Sequence, residues 1–86
     1  MKIQVRYFAS LRESIGLASE MVDTDSQDVA GLRAQLIARG GAHAECLASQ
    51  RPVRVAVNQV MATDATPLTA NAEVAFFPPV TGGYAM

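Results

Sequence analysis

His43 and Cys46 stand three residues apart, and a thiol near an imidazole is the smallest pair from which nucleophilic or metal chemistry could be built. A zinc centre needs three or four ligands, whereas this sequence holds one Cys and one His. A nucleophilic Cys would also want a group to orient its base, and none is spaced for that task, so the pair reads as structural. Asp23, Asp25 and Asp28 suggest a cation loop, but the downstream Gly and Glu of such a loop are missing; they read as helix caps and solvated charge. Neither Gly40-Gly41 nor Gly82-Gly83 sits in the strand–glycine–helix pattern that cradles phosphate. What remains is the run FFPPVTGGYAM over residues 76–86.

That run has its own physical logic. Pro78-Pro79 imposes an extended exit from whatever precedes it, which lowers the entropic cost of presenting the next residues. Gly82-Gly83 lacks Cβ atoms, so its backbone can pass through a slot that would exclude any side chain. Val80 to Gly83 reaches about 13 Å when extended. A stiff base, a short reach and a bare tip describe a probe that enters another protein's active site.

The elements that must hold this probe follow from periodicity. Ile3, Val5 and Tyr7 alternate with Gln4, Arg6 and Phe8, a half-buried strand. Ser10 to Glu13 has capping-box spacing ahead of Ile15 and Gly16, which predicts one helical turn with a glycine stop. Ser19 to Val22 reads as a second strand, antiparallel to the first. Asp25 or Ser26 is placed to cap a helix with Asp28 in its first turn; Val29, Leu32, Leu36 and Ile37 mark one face, and Gly40-Gly41 ends it. Ala42 to Ser49 reads as a turn or a single helical turn. Val53, Val55 and Val57 form a strand, Asn58-Gln59 its turn and Val60-Met61 a short return, with Val60 expected to continue the core and Met61 to face out. Glu73 to Phe77 is the last strand, with Val74 and Phe76 inward and Phe77 outward; the two prolines end it because neither donates a ladder hydrogen bond. Two hairpin-like pairs and one amphipathic helix predict an α+β fold, a mixed sheet packed on one main helix over residues 1–79, followed by a tail over 80–86.

Composition narrows the setting. With 86 residues the chain is one domain with a small core, and with 17% charged residues and a net charge of −1 it has an ordinary soluble balance. No basic cluster points to nucleic acid, and no segment approaches the length of a signal peptide or a membrane span. A cytoplasmic domain is expected.

PLTANAEVAFFPPVTGG, together with AVNQ at Ala56 to Gln59 and the opening KIQVRYFASLRESIG, resembles the small subunits of molybdopterin synthase, from Lys2 to Gly83. AFFPPVTGG is more specific within the ubiquitin-like sulfur carriers than a bare terminal Gly-Gly would be. The resemblance implies a β-grasp fold. It implies that the carboxylate of Gly83 is adenylated by a ubiquitin-activating-type adenylyltransferase using ATP and converted to a thiocarboxylate, with Gly82 in the threading role. Sulfur then passes to a cyclic pyranopterin precursor held by the large subunit, in molybdenum cofactor biosynthesis. No cofactor bound by the carrier itself is implied, and no catalytic side chain. Carriers for thiamine synthesis or tRNA thiolation, and a non-catalytic β-grasp binding module, are the competing assignments.

Strand parity leaves Phe8, Met61 and Phe77 outside the core. With Pro78, Pro79, Val80 and Thr81 of the arm, they form the expected docking surface for the large subunit. Tyr84-Ala85-Met86 departs from the pattern, because Gly83 lies in a peptide bond. The resemblance therefore implies a precursor trimmed by a processing protease.

Overall fold

The computed structural model describes residues 1–48 and 50–79; Ser49 and the expected tail over 80–86, including Val80, Thr81, Gly82 and Gly83, lie outside the described residues. Five strands, β1 (Lys2–Tyr7), β2 (Ser19–Asp23), β3 (Arg54–Val57), β4 (Val60–Ala62) and β5 (Glu73–Phe77), form one mixed sheet in the order β2-β1-β5-β3-β4. β1 and β5 run parallel at its centre, and the other pairs are antiparallel. Among the described residues three helices, α1 (Ala9–Ile15), α2 (Val29–Ile37) and α3 (Gly41–Leu47), accompany the sheet. This is the α+β β-grasp arrangement, and α2 supplies its main helical face.

Strand parity sets the core. Ile3, Val5 and Tyr7 of β1, Val22 of β2, Val55 of β3, and Val74 and Phe76 of β5 turn to the helical side and are buried. Val29, Leu32 and Leu36 of α2 meet them, and Leu11, Leu47, Leu68 and Ala72 close the periphery. Asn58 and Gln59, at φ 51° and 69°, make the tight turn between β3 and β4; two successive positive φ angles match the twist of a two-residue hairpin. Asn58 also ties that turn to β5, its Oδ1 accepting from the Glu73 amide at 3.0 Å.

Several expectations are corrected. α1 starts at Ala9 with Phe8 as its cap residue and no side-chain cap, so Ser10 is already helical and no capping box exists. The cause is the strand before it: the Phe8 amide continues the ladder by donating to the Phe76 carbonyl at 3.2 Å, and α1 leaves β1 directly. Asp28, not Asp25 or Ser26, caps α2, its Oδ1 accepting from the Gly31 amide at 2.9 Å. Ser26 instead packs on Gly31, where an added Cβ would lie 2.9 Å from the serine side chain. The next free amides of α2, Val29 and Ala30, donate to Thr66 and Asp64 carbonyls of the loop before β5. Where a turn or a single helical turn was expected from Ala42, the seven-residue helix α3 runs Gly41–Leu47. Val60 is outside the core at 68% exposure, because β4 is an edge strand that outruns the helical cover.

Arg33 explains α3. This side chain is buried on α2, and its Nε donates to the Leu47 carbonyl at 2.6 Å and its Nη2 to the Ala48 carbonyl at 2.8 Å. Those carbonyls sit at the end of α3, where no intrahelical donor reaches them. A guanidinium from the neighbouring helix therefore closes α3.

Candidate functional site

The arm's root is fixed by two strands and a helix. β5 ends at Phe77 beside β1, with Tyr7 opposite Phe76 in the parallel register. Phe8 and Phe77 thus emerge side by side on the face of the sheet away from the helices. Phe8 is 41% exposed and Phe77 half-buried. Pro78 and Pro79, both half-buried, leave from this corner. Arg6, on the same face, lies over the Phe8 ring with its guanidinium carbon 5.5 Å from the centroid, and its Nη1 reaches Glu73 Oε2 at 3.2 Å.

Met61 shares that face but not that corner. The register sets it opposite Ala56, with Ala56 opposite Ala75 and Ala75 opposite Arg6. Two alanines therefore separate Met61, at 59% exposure, from β1. They leave a shallow apolar floor running from Met61 toward Phe77. Sequence reasoning did not single out these alanines, and period-2 parity was the signal that could have placed them.

Behind the arm lies a groove of about 260 Å³ between α1 and the segment leading into β3, lined by Leu11, Ser14, Cys46, Val53, Pro78 and Pro79 among others. Cys46 faces this groove, half-buried. His43 turns elsewhere. Its Nε2 lies 3.0 Å from Glu20 Oε2, and its ring meets Tyr7 edge-on at 5.9 Å between centroids. The two residues are thus not a catalytic pair.

Glu20 gathers donors from two further directions. The Tyr7 hydroxyl donates to it at 2.7 Å and Arg39 Nη1 at 2.6 Å, so one carboxylate links β1, β2, α3 and the end of α2. Burial alone would raise the Glu20 carboxyl, but hydrogen bonds from Arg39, Tyr7 and His43 outweigh it and hold the group below the usual range. Burial, joined by the bond to Glu20, pushes the Tyr7 phenol well up. Among the described residues no group of three His, Cys, Asp or Glu side chains could hold a metal ion. None of their helices is long and apolar enough to cross a membrane.

The site is therefore a stiff exit beside a sheet face carrying Phe8, Phe77 and Met61, with no cluster of three His, Cys, Asp or Glu side chains among the described residues. The profile of the ThiS family matches residues 5–83, which takes in β5, the prolines and both tail glycines. The chain belongs to the ThiS family. Among curated members, the molybdopterin synthase sulfur carrier subunit of Escherichia coli (strain K12) is 41% identical over 81 residues, covering 94% of this chain and 99% of that protein. The crystal structure of SAMP1 from Haloferax volcanii superposes with a TM-score of 0.77 at 26% identity, covering 96% of this chain and all of that one. A chain of the protein–protein complex of subunits 1 and 2 of the molybdopterin-converting factor from Helicobacter pylori 26695 superposes with a TM-score of 0.68 at 25% identity, over 96% of this chain and the whole of that one. The family match stops at Gly83, so Tyr84, Ala85 and Met86 lie beyond it.

Proposed function

We propose that this protein is the sulfur carrier subunit of a molybdopterin synthase, used after its chain is cut behind Gly83. The supporting observation is the near-full-length likeness to the Escherichia coli carrier, joined to an AFFPPVTGG run that begins on β5 and leaves the sheet at a rigid proline corner. In this reading the chain's chemistry belongs to a backbone terminus. Hydrolysis of the Gly83–Tyr84 bond frees a carboxylate. That carboxylate attacks the α-phosphorus of ATP in an activating enzyme and pyrophosphate leaves. Hydrosulfide-level sulfur then displaces AMP to give the thiocarboxylate, which passes its sulfur to the pyranopterin precursor on the large subunit and returns to a carboxylate. The carrier's part is mechanical: the prolines aim the tip, and Gly82-Gly83 admits it to a narrow cleft.

Phe8, Phe77 and Met61, with Ala56 and Ala75 between them, supply the docking face for the large subunit. Buried aromatics contribute about 150–250 Å² each to such contacts. Phe77→Asp should remove binding to that subunit while leaving the half-buried strand folded.

Two chains test the function, one ending at Met86 and one at Gly83, each incubated with activating enzyme, ATP and a sulfur donor. Intact mass should show one oxygen replaced by sulfur on the shorter chain alone. A thiocarboxylate on the uncut 86-residue chain would overturn the cleavage requirement, and modification of neither chain would overturn the carrier assignment.

A further inference from the structure

The arginines divide into two groups. Arg6, Arg33 and Arg39 each lie within ion-pair distance of a carboxylate, Glu73, Asp64 and Glu20 respectively. Among the described residues Arg12, Arg51 and Arg54 make no such pair, although all three are exposed. Arg51 and Arg54 also stand at the arm's root. Arg54 is opposite Phe77 in the β3–β5 register, one strand spacing of about 4.8 Å away. Arg51 lines the groove whose other wall is Pro78 and Pro79. The exposed acids Asp23 and Asp25 lie at the other end of β1, where Asp23 faces Lys2. That end is about 17 Å from Tyr7 along the strand. Arg51 and Arg54 thus stand without an ion-pair partner among the described residues where the arm departs, in a chain of net charge −1 whose exposed Glu13 and Glu45 lie on the neighbouring helices α1 and α3.

We infer that Arg51 and Arg54 form a cationic collar read by carboxylates at the mouth of the cleft that receives the arm on the large subunit. This rests on the docking reading above and adds the charge of the partner's rim to it. An arm entering a cleft root-last brings the collar against the cleft mouth. Guanidinium groups with no internal carboxylate can form charge-assisted bonds there without first breaking an ion pair, and Arg51, whose Nε donates to the Glu45 carbonyl at 3.0 Å, keeps its other nitrogens for that purpose. Charges at the rim of an interface act mainly on the rate of encounter and on partner choice. The collar would therefore steer the arm and reject carriers without it, while Phe8 and Phe77 hold the complex together.

The experiment measures association and dissociation rates with the large subunit over a series of salt concentrations. It compares the Gly83-ended chain with its Arg51→Glu/Arg54→Glu and Arg51→Gln/Arg54→Gln forms and with Phe77→Asp. Circular dichroism confirms folding, and Arg54→Glu alone serves if the double variants fail to fold. Wild-type association should slow steeply with salt; the Glu variant should associate about tenfold or more slower at low salt, with a flattened salt dependence and a little-changed dissociation rate. The Gln variant should fall between them. Wild-type rates and salt slope in the Glu variant would overturn the collar, and if Phe77→Asp still abolishes binding the docking reading survives that loss. A raised KM for ATP during activation, with association unchanged, would give the collar to nucleotide phosphates and overturn it too. Failure of the unaltered chain to bind would sink both readings.

Discussion

Replacing Arg33 with Met tests whether one side chain holds α3 in place. The Arg33 fork makes two short bonds, at 2.6 Å to the Leu47 carbonyl and 2.8 Å to the Ala48 carbonyl, plus a longer one of 3.4 Å to the Arg51 carbonyl. Charged hydrogen bonds of this kind contribute about 1.5–3 kcal/mol each. Leu47 is fully buried, so its carbonyl would stay unsatisfied, whereas the Ala48 carbonyl keeps the Arg51 amide as a donor at 2.8 Å. The loss should be about 3 kcal/mol, a large share of the margin of a small domain. For a chain of this size that lowers Tm by about 12–24 °C. Arg33→Lys should lose about 2 kcal/mol, because an ammonium keeps the charge but not the fork. Asp64→Asn should cost under about 0.5 kcal/mol, since that carboxylate is 57% exposed and 3.7 Å from the guanidinium. Urea unfolding followed by circular dichroism gives all three values, and amide exchange over residues 41–53 should rise in Arg33→Met. An Asp64→Asn loss equal to that of Arg33→Met would show that the ion pair, not the carbonyl bonds, carries the effect. A loss under about 1 kcal/mol for Arg33→Met would refute the argument outright.

Leu36→Ala, at a fully buried position facing the sheet, should lower stability by about 2–5 kcal/mol, read from the same urea curves. Glu20 has a lowered pKa in the folded state, so its contribution is complete above the unfolded carboxyl value of about 4.3 and fades as pH falls through the lower folded value. Glu20→Gln should therefore destabilise the protein at neutral pH and flatten the decline between about pH 5 and pH 2, measured as urea midpoint against pH. Gln59→Gly should stabilise the domain by about 0.4–1 kcal/mol, because Gln59 holds φ at 69° in a turn that suits glycine; an unchanged midpoint would mean this angle is unstrained.

Much of the architecture was written in local pattern. Alternation at Ile3, Val5 and Tyr7 and at Val74 and Phe76 places the inward faces of the two central strands, and the 3.6-residue spacing of Val29, Leu32 and Leu36 places the helix across them. α3 was obscure because its stability is borrowed. Leu47 is its only buried residue, and the donor that closes it comes from another helix. Arg33 was missed for a related reason: a guanidinium between apolar neighbours reads as solvated until its acceptors are known. Asp25 and Ser26 looked like caps by type, yet Asp28 won because the loop at 64–66 meets the helix there. At the candidate site, the outward parity of Phe8, Phe77 and Met61 agrees with their positions on the sheet. The alanines that join Met61 to the corner, and the unpaired Arg54, emerge only from registers between strands distant in sequence.

The parallel pairing of β1 with β5 also governs when the molecule can exist during its own synthesis. Until residues 73–77 are available, β1–β2 and β3–β4 are separate hairpins with nothing hydrogen-bonded between them. Two-stranded hairpins are marginal in water, so a nascent chain holding only these pieces has no sheet to anchor. The last strand made is the one that unites them, and it is the strand from which the arm departs. A stalled or truncated product lacking β5 therefore lacks both the strand that joins the hairpins and the corner proposed to dock the partner.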